Sequence, residues 1–347
     1  MRSKFPFLLI LISIFASCSQ EHKEVVIKGK LIDPSSDTIV LLKPYQDLRF
    51  DDIIEIPIVN GSFEKRVEIE YPEGYYLMLG EAKENGGGAF MPLFLEEGTI
   101  DLIIYPESDF KKNKIQGGRL NKDLIDYTAK VEEQNFENWE EQQDWTKNYI
   151  KENTSLVSYF LLLQELTSGW EIENLEPYRQ SHKNLAAAFP NHPYSEITEK
   201  LIGGFDMKAG KKYIDFSAPD IEGKMVSLSE QIEGKVALIN LWATWCAPCI
   251  RKSREIIPVV KEYQKKGFTV IGVAGEFKST ENLEKFLARK EFPWLNLVEL
   301  DRENNLWQKY GIPRSGGGMF LVNRDGKILL KDPTAEELKV ELAKLLP

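Results

Sequence analysis

From Glu24 to about Gln116 the chain reads as short apolar-rich runs, several of which alternate apolar with polar residues. VVIKGKL, DTIVLL, IIEIPIV, SFEKRVEIE, YYLMLG and TIDLIIY are rich in Val, Ile and Tyr and are separated by turn signals, the period-two pattern of strands with one buried face. Asn60-Gly61 stands between two of these runs, where a two-residue hairpin turn is expected because both residue types tolerate positive φ. A sandwich-like all-β domain is therefore expected over residues 18–119. The Gly86–Gly88 run lacks the preceding strand and following helix that a phosphate loop requires, so it is expected to be a loop.

From residue 120 the spacing changes to three and four, as in Leu120, Leu124, Ile125 and Tyr127 and again over Leu156–Leu166. This predicts a helical segment over 120–207. Trp139, Trp145 and Trp170 fall in it and are expected to be core, with a ligand groove as the alternative. Pro190 and Pro193 interrupt the pattern, and Gly203, Gly204 and Gly210 are expected to form a linker.

Residues 208–347 predict strand, helix, strand, helix, strand, strand, helix. VALINLW is a buried strand, Pro248–Lys266 a helix, FTVIGVA a strand and Thr280–Lys290 a helix; MFLVN and KILL form a hairpin, and Ala335–Leu346 is the last helix. Thr334 and Glu337 have the spacing of a capping box. Strands separated by helices of this length indicate an α/β domain, so the chain is multidomain.

The first residues have a different character. Arg2 and Lys4 precede the apolar run Phe5–Phe15, and Ala16-Ser17 lead into Cys18, the layout of a secretory signal peptide over 1–17. The apolar run is about half the roughly 20 residues that a membrane-spanning helix needs. FASC resembles the lipobox of bacterial lipoproteins, departing at Phe15, where Leu is more usual. That resemblance implies acylation of Cys18, and with it a membrane association through a lipid anchor in the cell envelope, facing the periplasm or the cell surface.

The chain has 347 residues, 54 acidic against 44 basic, for a net charge of −10. The acid excess is greatest in the helical segment, whereas 208–347 is net basic. Nucleic acid is not an expected partner, because binding it would need clustered Lys and Arg. There are 3 cysteines, Cys18, Cys246 and Cys249. If lipid takes Cys18, a structural disulfide framework is excluded and a single C-x-x-C pair remains.

WATWCAPC, Trp242–Cys249, follows directly on the VALINLW strand and opens a helix. A thiolate attacks disulfides, and a free thiol with a pKa of about 8.5 is mostly protonated at neutral pH. At a helix N-terminus, unpaired N–H groups and the positive end of the dipole favour the thiolate of Cys246. Cys246 is expected to be the exposed, attacking thiol. Pro248 suits the first turn, and Cys249 is placed to resolve the mixed disulfide. The two sulfurs carry two electrons, so no cofactor is required. A zinc site needs about four ligands, and no third free Cys is present; a Cys-His hydrolase is disfavoured because His22, His182 and His192 all lie far before the motif.

Ala218–Cys249, APDIEGKMVSLSEQIEGKVALINLWATWCAPC, resembles the opening of thioredoxin-like domains of the TlpA/ResA type, which are tethered envelope thiol-disulfide oxidoreductases. KGFTVIGVAGE and FLVNRDGKI continue the resemblance over about 211–347. It implies Cys246 and Cys249 as the catalytic pair, with Trp245, Ala247, Pro248 and the segment holding Pro313 and Gly317 in contact with substrate. The β-rich segment is similar to an N-terminal domain of unknown function often found ahead of redoxin domains. Asn240 stands where thioredoxins carry a buried Asp, and Lys252 replaces a frequent Glu. Lys252 and Arg254 could face the thiolate or form an exposed helix face. The family's cis-Pro is either Pro313, followed by an inserted glycine loop, or is replaced by Gly317; a loop lacking the proline is expected to tolerate Gly317→Pro. A peroxidatic P-x-x-x-T-x-x-C pattern is absent, with Ile239 and Ala243 at its Pro and Thr positions.

The expected activity is dithiol-disulfide exchange with protein substrates, in the reducing direction, with a membrane thiol-electron donor as second partner. The alternative is a surface binding protein whose redox domain is a sensor or accessory.

Overall fold

The N-terminal part forms two four-stranded sheets packed face to face, one with alternating strands such as Ser62–Ile69 and Gly98–Ile104 and one whose strands Thr38–Leu42 and Glu73–Leu79 are buried on both faces. A computed structural model describes residues 23–347 apart from 33–35, 49, 86, 169–171, 173 and 313–315. The signal segment, Cys18, His22, Gly86, Trp170 and Pro313 thus lie outside the described residues. The elements of this part are β1 (Lys23–Leu31), β2 (Thr38–Leu42), β3 (Ile54–Pro57), β4 (Ser62–Ile69), β5 (Glu73–Leu79), α1 (Glu81–Asn85), β6 (Met91–Leu95), β7 (Gly98–Ile104) and β8 (Lys114–Gln116). Strand orders are β4-β1-β7-β8 and β3-β2-β5-β6.

Val25, Ile27, Ile39, Leu77, Leu93 and Leu102 point between the sheets and are fully or almost fully buried, which is what fixes the register of each strand. Asn60 and Gly61 adopt φ of 52° and 72°, and Val59 and Ser62 exchange backbone hydrogen bonds of 2.8 and 3.0 Å across them, the expected hairpin turn. Strand β6, MPLFL, was not expected. Its Pro92 cannot donate to a ladder, and the strand is accommodated because it lies at a sheet edge.

Five helices follow: α2 (Arg119–Glu133), α3 (Trp139–Glu152), α4 (Leu156–Thr167), α5 (Glu176–Ala188) and α6 (Pro193–Phe205). Helix α4 is buried along most of its length and packs on the β5-β6 sheet. A Cβ at Gly74 of β5 would overlap the Phe160 ring of α4, and Gly74 N–H donates to the buried Tyr194 hydroxyl at 2.7 Å. His192 bonds Pro72 O through Nε2 at 2.9 Å. Trp145 stacks on Tyr149, but Trp139 is 46% exposed, contrary to the core expectation, because its helix starts at the rim of an open cavity shared with Tyr76, Phe90 and Tyr127.

Gly203 and Gly204 are not linker residues. Both lie inside α6, and Gly204 is buried so closely against the next domain that a Cβ on it would come 2.8 Å from Gly311 Cα. Small residues here permit backbone-to-backbone packing, the opposite of a flexible connection; the chain turns only after Phe205.

The C-terminal part contains β9 (Ser217–Pro219), β10 (Met225–Ser227), α7 (Leu228–Ile232), β11 (Val236–Trp242), α8 (Ala247–Tyr263), β12 (Phe268–Glu276), α9 (Glu281–Leu287), β13 (Leu295–Leu300), α10 (Leu306–Lys309), β14 (Gly318–Val322), β15 (Ile328–Lys331) and α11 (Ala335–Leu345). Its five-stranded sheet has the order β13-β12-β11-β14-β15. β11, β12 and β13 are mutually parallel, β14 runs antiparallel to β11, and β15 runs antiparallel to β14. Every residue of the central β11 is buried, as its apolar run, broken only by Asn240, leads one to expect. The capping box of Thr334 and Glu337 starts α11 as expected.

Strand β13 was missed from sequence, since Asn296 and Glu299 interrupt LNLVEL. Both are buried and satisfied: Asn296 Oδ1 accepts from Trp242 Nε1 at 3.0 Å, and Glu299 accepts from Asn304 and Leu306 backbone N–H at 3.0 and 3.2 Å. No helix among the described residues is long and apolar enough to cross a membrane.

Candidate active site

Strand β11 delivers Trp242 to the sheet's carboxyl end, and the four residues Ala243–Cys246 turn the chain into α8. Several bonds hold the turn. Thr244 donates through N–H and Oγ1 to the Glu276 carboxylate at 2.8 and 2.7 Å, Trp245 Nε1 donates to Gly275 O at 2.9 Å, and Cys246 N–H donates to Ala243 O at 3.1 Å. Glu276 is 4% exposed, and this burial pushes its carboxyl above the ordinary range while the Thr244 bonds oppose the shift.

Cys246 caps α8 and forms a disulfide with Cys249, their Cα atoms 5.3 Å apart. Cys249 N–H donates to Cys246 Sγ at 3.3 Å, so the first turn of the helix already offers a donor to the sulfur that would carry charge after reduction. Pro248 lies in that turn, where no N–H is missed. Cys246 is 4% and Cys249 8% exposed. Exposure therefore does not single out Cys246 in this disulfide form, in contrast to expectation: Gly317 packs against Cys249, and Gly316–Gly318 line the same small cleft as both cysteines.

Two depressions flank the motif. A small cleft of about 140 Å³ is lined by both cysteines, Pro248, Lys252, Gly317 and Asp332. A larger groove of about 580 Å³ is lined by Trp245, Ala247, Ile250, Phe277, Arg289 and, from the N-terminal domain, Phe50. The residues expected from sequence to meet substrate thus divide between the two, with Pro313 outside the described residues. Lys252 borders the cysteine cleft, whereas Arg254 is held by Glu291 through bonds of 2.9 and 3.2 Å and forms part of the outer face. Asn240 donates to Ser253 Oγ at 2.9 Å beneath the pair, so no carboxylate takes the position of the thioredoxin Asp.

Glu276, Phe50 and Phe277 were not anticipated. A carboxylate at the end of the apolar run FTVIGVAGE was a usable signal for Glu276; nothing local connects Phe50 to the motif.

A C-x-x-C disulfide at a helix N-terminus, on a sheet of this order, defines a thioredoxin-fold thiol-disulfide oxidoreductase. The family model described as AhpC/TSA family matches residues 209–331, and one described as a domain of unknown function, DUF4369, matches 25–124. The thiol-disulfide oxidoreductase ResA of Geobacillus thermodenitrificans is 32% identical over 160 residues, covering 44% of this chain and 83% of the relative. That of Bacillus thuringiensis subsp. konkukian is 28% identical over 147 residues, covering 41% and 80%. A solved thiol-disulfide oxidoreductase of Bacteroides fragilis is 27% identical and covers 39% of this chain and 100% of that one, with a TM-score of 0.36. The chain belongs to the ResA family of thiol-disulfide oxidoreductases.

Proposed function

We propose that the protein reduces disulfides of protein substrates in the cell envelope, anchored to a membrane by acyl chains on Cys18. Residues 208–347 form the redox unit in this reading. Cys246 thiolate attacks one sulfur of a substrate disulfide, forming a mixed disulfide and releasing the other sulfur as a thiolate that takes up a proton. Cys249, losing its proton, then attacks Cys246 Sγ; the mixed disulfide breaks, the second substrate thiol leaves, and the Cys246–Cys249 disulfide forms. Two electrons pass to the substrate, and a membrane dithiol donor restores them by the reverse exchange.

The observation that carries the direction is the modest support for a Cys246 thiolate. One backbone N–H, from Cys249, is placed on its sulfur, and Arg254 is engaged by Glu291. A helix terminus contributes about 0.3–1 kcal/mol, up to about 2 in a favourable site. About 30 mV corresponds to about 1.4 kcal/mol for a two-electron couple, so this is too little to move a thioredoxin-like potential of about −270 mV to the roughly −120 mV of a strong oxidant. Among the described residues, Lys252 and the backbone N–H groups of Gly316–Gly318, all bordering the cleft, are further sources of stabilisation that would shift the potential upward. Equilibration of the full chain with glutathione buffers tests the reading: a potential closer to −270 than to about −120 mV is expected, and the opposite result makes the protein an oxidant.

A further inference from the structure

The N-terminal β-domain reaches the redox motif through its β2–β3 loop. Phe50 of that loop stacks on Phe277, with ring centroids 3.8 Å apart and planes 3° from parallel, and lies 5.3 Å from the Trp245 ring. Trp245 immediately precedes the attacking cysteine. The loop is braced at both ends. Lys43 N–H donates to Gln46 Oε1 at 2.8 Å, Gln46 Nε2 donates to Asp52 O at 2.9 Å, and Asp47 N–H donates to Asp51 Oδ2 at 2.6 Å. Lys43 pairs with the buried Glu73.

Arg302, in the turn after β13, fastens the loop to the redox domain. It meets Asp51 at 3.1 Å and Asp47 at 3.5 Å, and its guanidinium lies 5.0 Å from the Phe277 ring centroid. The Arg302 and Asp47 side chains are only 19% and 7% exposed, so this contact is an interior one and not a transient surface pair.

The resulting aromatic wall of Phe50, Phe277 and Trp245 forms one side of the larger groove. The groove lining also includes Arg254, Lys285 and Arg289. Arg254 and Lys285 share their charge with Glu291 and Glu281; Arg289 lies 5.9 Å from the Phe286 ring and has no ion pair among the described residues. Glu276, the acid in the groove lining, is turned inward onto Thr244. The groove lining therefore combines an aromatic cluster with basic side chains.

We propose that the β2–β3 loop is a substrate-selecting element: with both Phe50 and Arg289 in its lining, the groove takes a polypeptide segment bearing an aromatic or large aliphatic side chain and an acidic side chain beside its reactive cysteine. The inference rests on the reducing reading above. It gives the N-terminal domain a role in choosing substrates, since the redox domain alone would present Trp245 and Phe277 without the third ring.

The test uses the full chain, reduced, against three probes: a peptide disulfide with Phe and Glu flanking its cysteine, one with Ser and Lys there, and hydroxyethyl disulfide. The wild type is expected to favour the Phe-Glu peptide by about tenfold in kcat/KM, the size expected for one well-placed ring contact. Phe50→Ala should reduce that preference to about twofold, mainly through KM, while Phe50→Leu keeps most of it. Arg289→Gln should lower the tenfold preference to about fivefold, the share left when the charge contribution is lost. Equal rates with both peptides in the wild type, or faster peptide reduction in Phe50→Ala, overturn the proposal; the latter would make the loop a cover. If Phe50→Ala fails to fold, the wild-type preference and Arg289→Gln still decide. A wild-type dithiol that leaves hydroxyethyl disulfide intact overturns the reducing reading and this inference with it, whereas turnover of that probe without peptide preference overturns this inference alone.

Discussion

Gly317 lies against Cys249 so closely that a Cβ built on it would stand 2.8 Å from Cys249 Sγ and nearer still to Leu241 O. It directly precedes β14, whose Gly318 pairs with Leu241 of β11, so the strand pairing leaves the segment little freedom to retreat. Gly317→Ala is expected to cost about 1–3 kcal/mol by overpacking, read as a lowered urea midpoint of the disulfide form. A proline carries the same Cβ, so Gly317→Pro should also lose stability unless the backbone shifts; tolerance of that variant is expected only of a loop that lacks the family's proline, and loss of activity of one that uses Pro313. An unchanged midpoint in both variants would show that the segment yields.

Burial does not distinguish the two cysteines, but helix geometry does. Cys246 occupies the cap and receives the Cys249 N–H, while Gly317 covers Cys249. Cys249→Ser should therefore accumulate a covalent mixed disulfide between Cys246 and substrate, released by dithiothreitol, and multiple turnover should fall to one cycle. Non-reducing electrophoresis with mass mapping checks this. Trapping through Cys249 in the Cys246→Ser variant instead would reverse the two roles.

The carboxyl of Glu276 is held above its ordinary range by burial. A carboxyl raised in the folded state stabilises the fold most when protonated, that is below its unfolded pKa, and loses that contribution as pH rises through the folded value. Urea unfolding of wild type and Glu276→Gln from pH 4 to pH 7 should show the wild-type advantage greatest at the acid end and shrinking toward neutrality. An advantage that grows with pH would mean that the Thr244 bonds outweigh burial and favour the carboxylate.

Acylation of Cys18 is the outcome expected from the resemblance of the Ala16-Ser17-Cys18 junction, after a short apolar run, to a lipobox. Mass spectrometry of the mature protein is expected to find Cys18 as the first residue, carrying lipid. A mature N-terminus elsewhere, in protein that stays in the aqueous fraction, would remove the anchor from the proposed function.

Features whose chemistry is local were legible in the chain itself. The Cys246–Cys249 pair could be placed at a strand-to-helix junction because an apolar run, a C-x-x-C and Pro248 are adjacent in sequence. Asn60-Gly61 determined its turn through the φ values these residues allow, and Thr334 with Glu337 determined a helix start through two bonds three residues apart. Tertiary structure decided what depends on approach between distant segments. Pro92 hid an edge strand, and the buried Asn296 and Glu299 hid another, since polar groups look like breakers until Trp242, Asn304 and Leu306 supply their partners. Gly204 looked like a hinge until Gly311 was found against it. Gly317 acquired its meaning from Cys249, and Phe50 from Trp245 and Phe277, because a side chain's periodicity records which way it faces and not which remote surface it will meet.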